Sequence, residues 1–168
     1  NAADASRLCA ETALDEARAL VLSDYAKGSL DAQAWIERAR QLQIPVIVDP
    51  KGHDFEKYRG ATLLTPNRSE FEAVVGTWMH DHELIAKAHA LIDQFDWQAL
   101  LVTRSEQGMT LVIRDGAVHH FAATAREVAD VTGAGDTVVA TLAAGLGQGM
   151  SLAESAELAN RAAGIVVS

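Results

Sequence analysis

Seven residues late in the chain, Asp130-Val131-Thr132-Gly133-Ala134-Gly135-Asp136, set two glycines and a carboxylate at the head of an apolar run, Val138-Val139-Ala140-Thr141-Leu142-Ala143-Ala144. The run reads as a buried helix entered from a strand-like segment. Glycines let the backbone turn tightly and approach a ligand with no Cβ in the way. The first amides of the helix have no partner inside it, and that terminus carries about half a positive charge. The product is an anion site suited to phosphate. Asp136 falls in the first turn of the same helix. Amides that hold developing phosphate charge, beside a carboxylate that takes a proton, point to phosphoryl transfer to a hydroxyl.

Two other readings fit the same residues. Gly-x-Gly before a helix can be only a tight turn, with the aspartate offsetting the helix dipole. A dinucleotide fingerprint would need glycine at position 138, where this chain has Val, and an acidic residue at the end of the next strand, where this chain has more helix.

Composition bounds the partners. The 168 residues suffice for one domain with a real core, and 49% hydrophobic content excludes a disordered chain. A formal net charge of −9 repels nucleic acid and anionic lipid, so neither is an expected partner. It leaves room for an anionic substrate, because local amides and a few cations offset the field. No apolar run reaches membrane-spanning length, and no basic, apolar signal segment opens the chain. The single cysteine, Cys9, excludes an internal disulfide. A cytoplasmic protein is the expectation. The chain begins at Asn1 without Met and stops inside the apolar Gly164-Ile165-Val166-Val167-Ser168, so it reads as part of a longer domain.

The elements that must position the turn follow from periodicity. Residues 4–17 have a helical pattern. Ala19-Leu20-Val21-Leu22, Val46-Ile47-Val48, Leu63-Leu64 and Leu100-Leu101-Val102 read as buried strands. Ala32, Trp35, Ile36, Ala39 and Leu42 form an amphipathic stripe closed by Pro45. Phe71, Val74 and Val75 begin a helix stopped at Gly76, and Leu84, Ile85, Ala88, Leu91, Ile92 and Phe95 form another. Met109 to Ile113 and Val118 to Ala122 predict a hairpin about Asp115-Gly116. Closing helices start near Ala134 and Leu152. Strand alternating with helix means a mostly parallel sheet covered on both faces, with ligands beyond the strands' carboxyl ends. Polar clusters follow the four strands at that end: Asp24 with Lys27, Asp49 with Lys51, Asn67 with Glu70, Thr103 with Ser105. The Gly133–Asp136 turn is the fifth such position, and together they favour one shared site.

Within it, Asp136 is the expected general base, a role that typically contributes ~10²–10⁴-fold. Gly133, Ala134 and Gly135 supply amides to the transferring group. Asn67 and Glu70 are oxygen groups suited to Mg²⁺ or its waters, although Glu70 equally fits a capping carboxylate at a helix start. Thr103 and Ser105 offer hydroxyls to phosphate oxygens. Lys27 and Lys51 could pair with a phosphate on the acceptor, with Arg68 and Arg104 as weaker candidates. His80 and His82 lack the i, i+4 spacing of helical metal ligands, and His119-His120 point to opposite faces of a strand.

The Asp130–Asp136 stretch resembles the signature of the ribokinase-like sugar kinases, and Asn67-Arg68-Ser69-Glu70 resembles that family's Asn-x-x-Glu element. Four further stretches narrow the likeness: Ser23–Gly28, Asp49-Pro50-Lys51-Gly52, Tyr58–Asn67 and Val102–Met109. Together they are similar to the heptose 7-phosphate kinase domains of bacterial bifunctional ADP-heptose synthases, over essentially the whole chain. The resemblance implies a three-layer α/β ribokinase-like fold with a mostly parallel central sheet, of which residues 1–168 are the C-terminal portion. The N-terminal strands, the lid and any nucleotidyltransferase domain would lie outside these residues, and the piece would be inactive alone. It further implies ATP-dependent, Mg²⁺-assisted phosphorylation of D-glycero-β-D-manno-heptose 7-phosphate at the anomeric hydroxyl, giving the 1,7-bisphosphate on the route to ADP-heptose and the lipopolysaccharide core. The parent would be a homodimer. Asp136 would deprotonate the anomeric hydroxyl. Asn67, Arg68, Ser69 and Glu70 would sit at the ATP phosphates and the metal, Thr103, Ser105 and Gly108 along the nucleotide, and Asn160 near the adenine. Ser105 departs from the Thr-x-Gly pattern of many relatives. Alternatives are a different sugar kinase of the family or a nucleotide-binding module without catalysis.

Overall fold

The computed structural model describes residues 13–23, 31–124 and 133–166. Cys9, Asp24, Lys27, Asp130, Val131 and Thr132 lie outside them, as does most of the helix expected over 4–17, of which 13–16 are helical. Six strands form one sheet in chain order. They are β1 (Leu20–Ser23), β2 (Val46–Asp49), β3 (Leu63–Leu64), β4 (Ala99–Thr103), β5 (Met109–Ile113) and β6 (Val118–Phe121). β1 to β4 run parallel, whereas β4–β5 and β5–β6 are antiparallel. Helices α1 (Ala32–Gln41), α2 (Arg68–Val75), α3 (Asp81–Phe95), α4 (Ala134–Gly147) and α5 (Leu152–Val166) complete the fold.

Register sorts the apolar residues into two cores. Leu22, Val48, Leu64, Leu100 and Val112 pair in one row across five strands and face α1, α2 and α3. One step along, Ile47, Leu63 and Ala99 pair in a row that faces α4 and α5 through Val138, Val139, Leu142, Ala156 and Ala159. Strands buried on both faces read as continuous apolar runs, which is why β2 and β4 show no alternation in sequence. Each fully buried Leu, Ile or Val contributes about 1.5–3 kcal/mol. The expected three-layer α/β arrangement is therefore present.

Between β2 and β3 a single 3₁₀ turn, Glu56–Tyr58, replaces a helix. It packs Phe55 and Tyr58 against Trp97, whose indole N–H donates to Tyr58 O at 3.0 Å. The parallel strands end on one side of the molecule. Because β5 runs back against β4, it starts at that same side, and the first turn of α4 is brought there too.

Candidate active site

Two adjoining clefts open beyond the strand ends and share Asn67, Thr103, Gly135 and Val138. The smaller, about 180 Å³, is also lined by Asp49, Lys51, Thr65, Glu70, Gly133 and Asp136. The larger, about 540 Å³, adds Ser105, Glu106, Gly108 and Met109 from the start of β5, Ala123 and Thr124 beyond β6, Ala134, and Asn160, Ala163 and Gly164 from α5.

Gly133 sets the α4 end of the site. Its φ of +87° is one that only glycine adopts without strain. Thr137 fixes the turn, its N–H and hydroxyl both donating to Gly133 O at 3.0 and 3.1 Å. Helices α1, α2 and α5 begin on a side-chain oxygen of the cap residue. Asp31 accepts from Ala34 N, Asn67 from Glu70 N, Ser151 from Glu154 N, and Glu83 accepts from the backbone entering α3. Among the described helices only α4 starts on a glycine, with no side chain to satisfy its first amides. Gly135 has an ordinary helical backbone, and a Cβ added there meets no protein atom within 4 Å. The fold does not require glycine at 135, but a methyl group would project into the cleft. Asp136 is exposed and lines the smaller cleft beside these amides.

The β2 and β3 ends meet α4 across this cleft. Glu70 completes a capping box with Asn67: its Oε2 accepts Asn67 N at 2.9 Å, and Asn67 Oδ1 accepts Glu70 N at 2.9 Å. The other Glu70 oxygen accepts Lys51 Nζ at 3.0 Å, and Lys51 also donates to Asp49 Oδ1 at 3.3 Å. The capping reading of Glu70 is thus realised by one oxygen, and the other faces Lys51 in the cleft. Burial pushes the Asp49 carboxyl above its ordinary pKa; Lys51 opposes that, and the charges of Glu70 and Asp136 add to it. For Lys51, burial would lower the pKa, but hydrogen bonding to Glu70 and the two carboxylate charges outweigh it, so the ammonium is held charged.

The loop after β4 builds the floor of the larger cleft. An isolated bridge joins Asn67 to Thr103, and Thr103 N donates to Pro66 O at 3.1 Å, which ties the β3 and β4 ends together. Ser105 has a φ of +51°, in the left-handed region. The serine stands in a backbone position suited to glycine, the residue that the Thr-x-Gly pattern has there. Gly108 is fixed twice, by a φ of +80° and because a Cβ there would collide with Phe121 O. Asn160, 8% exposed, donates from Nδ2 to Ala122 O at 2.8 Å and ties α5 to the chain leaving β6.

Some expected residues point elsewhere. Arg68 pairs with Glu72 at 3.0 Å and stacks 4.8 Å over Trp78. Neither it nor Ser69 lines the two clefts. Arg104 is held by Asp81 at 3.0 Å and by Thr110 and Gln107. Asp49 and Thr65 were not singled out as site residues, although the Asp49–Lys51 cluster carried the signal for the first.

The donor set admits a hard divalent cation. Asp49 and Glu70 offer carboxylate oxygens, and a cation, the Lys51 ammonium, already stands between them. Among the described residues no three His, Cys, Asp or Glu side chains converge, so further ligands would come from phosphate or water.

The fold is shared with solved carbohydrate kinases. Arabidopsis thaliana ribokinase complexed with ribose and ATP superposes with a TM-score of 0.79 at 25% identity, covering 94% of this chain and 52% of that one. Escherichia coli phosphofructokinase-2 shares the fold at a TM-score of 0.78 and 20% identity, covering 94% of this chain and 54% of its own. The chain belongs to the pfkB family of carbohydrate kinases, whose model matches residues 2–168. It is 58% identical over 158 residues to the "Bifunctional protein HldE" of Vibrio parahaemolyticus, and 60% identical to those of Aeromonas salmonicida and Pasteurella multocida. Each alignment covers 94% of this chain and 33% of the relative, so the chain spans about a third of the length of these relatives. Among the described residues no helix is long and apolar enough to cross a membrane.

Proposed function

We propose that these residues form the nucleotide-phosphate and general-base half of a cytoplasmic, ATP-dependent heptose 7-phosphate kinase, which phosphorylates the anomeric hydroxyl. The observation that carries this is the meeting of Asp136, the Gly133–Gly135 turn and Glu70 around one cleft at the carboxyl ends of the parallel strands. The identity to HldE proteins over 94% of the chain supports the heptose acceptor within the family.

The geometry supports these roles. The first amides of α4, which have no partner inside the helix, hold the charge that develops on the transferring phosphoryl group. Asp136, exposed in that first turn, takes the proton from the acceptor hydroxyl as the new O–P bond forms and the bond to the nucleotide's bridging oxygen breaks. Gly135 keeps the approach free of a side chain. Asp49 and Glu70 would hold Mg²⁺, which when bound neutralises phosphate charge. Asn67 and Thr103 lie where the two clefts join, Ser105 lines the larger one, and the Gly108–Asn160 region of that cleft has the size and apolar lining for a nucleoside.

A phosphotransfer assay on the full-length protein tests the reading. Formation of heptose 1,7-bisphosphate from ATP and heptose 7-phosphate is expected, with other sugar phosphates turned over poorly. Equal turnover of fructose or ribose phosphates would remove the heptose assignment. No transfer to any sugar, with ATP bound, would leave a nucleotide-binding module.

A further inference from the structure

We infer that Lys51 is a tethered counter-ion: it holds the divalent-cation position between Asp49 and Glu70 and gives it up when metal and nucleotide arrive. The inference rests on the phosphoryl-transfer reading of the cleft and adds a step to it.

The two oxygens of Glu70 have separate tasks. Oε2 is fixed on Asn67 N by the capping box, so the carboxylate cannot swing away. Oε1 is left for the cleft, and Lys51 Nζ takes it at 3.0 Å. The same ammonium sits 3.3 Å from Asp49 Oδ1. A hard divalent ion bound by these two carboxylates competes with Lys51 for Glu70 Oε1 and Asp49 Oδ1.

Charge explains why some cation must be there. The smaller cleft is lined by three carboxylates, Asp49, Glu70 and Asp136, and one cation, Lys51, a formal sum of −3 + 1 = −2. Without the ammonium, Asp49 and Glu70 would repel across the cleft in a partly desolvated setting. Exchange of the ammonium for a doubly charged ion offsets more of the carboxylate charge and frees Lys51 beside the incoming phosphate. The lysine can leave, because its side chain is 37% exposed while those of Asp49 and Glu70 are 19% and 16% exposed. The carboxylates are walled in and the cation is not.

Manganese binding to the full-length protein without nucleotide, followed by the paramagnetic signal of free Mn²⁺, tests this. Lys51→Met should bind Mn²⁺ about three- to tenfold more tightly than wild type, the release of two partly screened ion pairs. Lys51→Arg should stay near wild type. So should Lys87→Met, which removes the same charge from a lysine bonded to Val75 O. A Lys51→Met protein with unchanged or weaker Mn²⁺ affinity overturns the inference. A second measurement needs no variant: lysine acetylation of the wild type, read by peptide mass spectrometry with and without Mg²⁺. Faster modification of Lys51 in Mg²⁺ supports exchange, and an unchanged rate overturns it. An active kinase whose Lys51 does not respond to metal rejects the exchange alone. Metal-driven release of Lys51 in a protein with no sugar kinase activity rejects the kinase reading alone.

Discussion

Asn67 and Glu70 cap one another across the first turn of α2, each side chain accepting the other's backbone N–H at 2.9 Å. The pair separates fold from chemistry. Asn67→Ala removes a cap oxygen and should cost about 1 kcal/mol in urea unfolding. Glu70→Gln keeps a side chain that can close a capping box, so stability should change by less than ~0.5 kcal/mol. Its Mn²⁺ affinity and turnover should nevertheless fall by at least about tenfold, because one of two carboxylate ligands is lost.

Asp136 is exposed, so its replacement should leave the fold alone. Asp136→Asn in the full-length protein should lower kcat by ~10²–10⁴-fold while ATP binding by calorimetry stays within a few-fold. Near-normal turnover would remove the base assignment.

The glycines divide by what surrounds them. A Cβ at Gly135 meets open space, so Gly135→Ala should hold or gain up to about 1 kcal/mol through helix propensity while nucleotide affinity drops. Gly108 has a positive φ and faces Phe121 O, so Gly108→Ala should destabilise by more than ~2 kcal/mol and lower the Tm by several degrees.

Ser105 holds a left-handed backbone that costs a non-glycine residue about 1–2 kcal/mol. Ser105→Gly should stabilise by up to about 1 kcal/mol, since the added freedom of the unfolded glycine offsets part of the relief. If the hydroxyl meets a phosphate oxygen, the same variant should raise the KM for ATP. A gain in stability with no change in KM would make Ser105 a backbone position only.

The pH dependence follows from Asp49. Burial raises its pKa in the folded protein, so the native state holds that proton more tightly than the unfolded chain. The stability it contributes is complete below the unfolded carboxylate range near pH ~4 and is lost as pH rises through the folded pKa. Ionised Asp49 therefore costs stability at neutral pH. Asp49→Asn should be more stable than wild type in urea at pH 7, and the margin should close as pH falls through the carboxylate range.

The chain announces most of its architecture. Continuous apolar runs gave β1, β2, β3 and β4, the Asp115-Gly116 dipeptide gave the hairpin, and stripes at helical spacing gave α1 and α3. Burial on both faces leaves that apolar signal at β2, β3 and β4, whereas β1 is an edge strand with Val21 39% exposed. The site was legible where a single stretch carries it, as in Gly133–Asp136 and Asn67–Glu70. It was not legible where two distant stretches share an atom. Nothing in Asp49-Pro50-Lys51 says that its lysine reaches Glu70 Oε1, nineteen positions on. Arg68 sits inside the Asn67–Glu70 element but turns outward to Glu72 and Trp78, because a helix presents successive residues to different faces. The positive φ of Ser105 has no local marker either, since serine is not a residue that advertises it.

The hairpin joining β5 to β6 has its open end at the clefts and its tip, Asp115-Gly116, at the opposite edge of the sheet. Both tip residues are exposed, and a Cβ at Gly116 would touch nothing within 4 Å. A surface anchor, an affinity peptide or a spectroscopic label spliced between them would hold the enzyme with its mouth toward solution. Immobilised through that tip, the protein would present both clefts unobstructed to whatever is flowed across it.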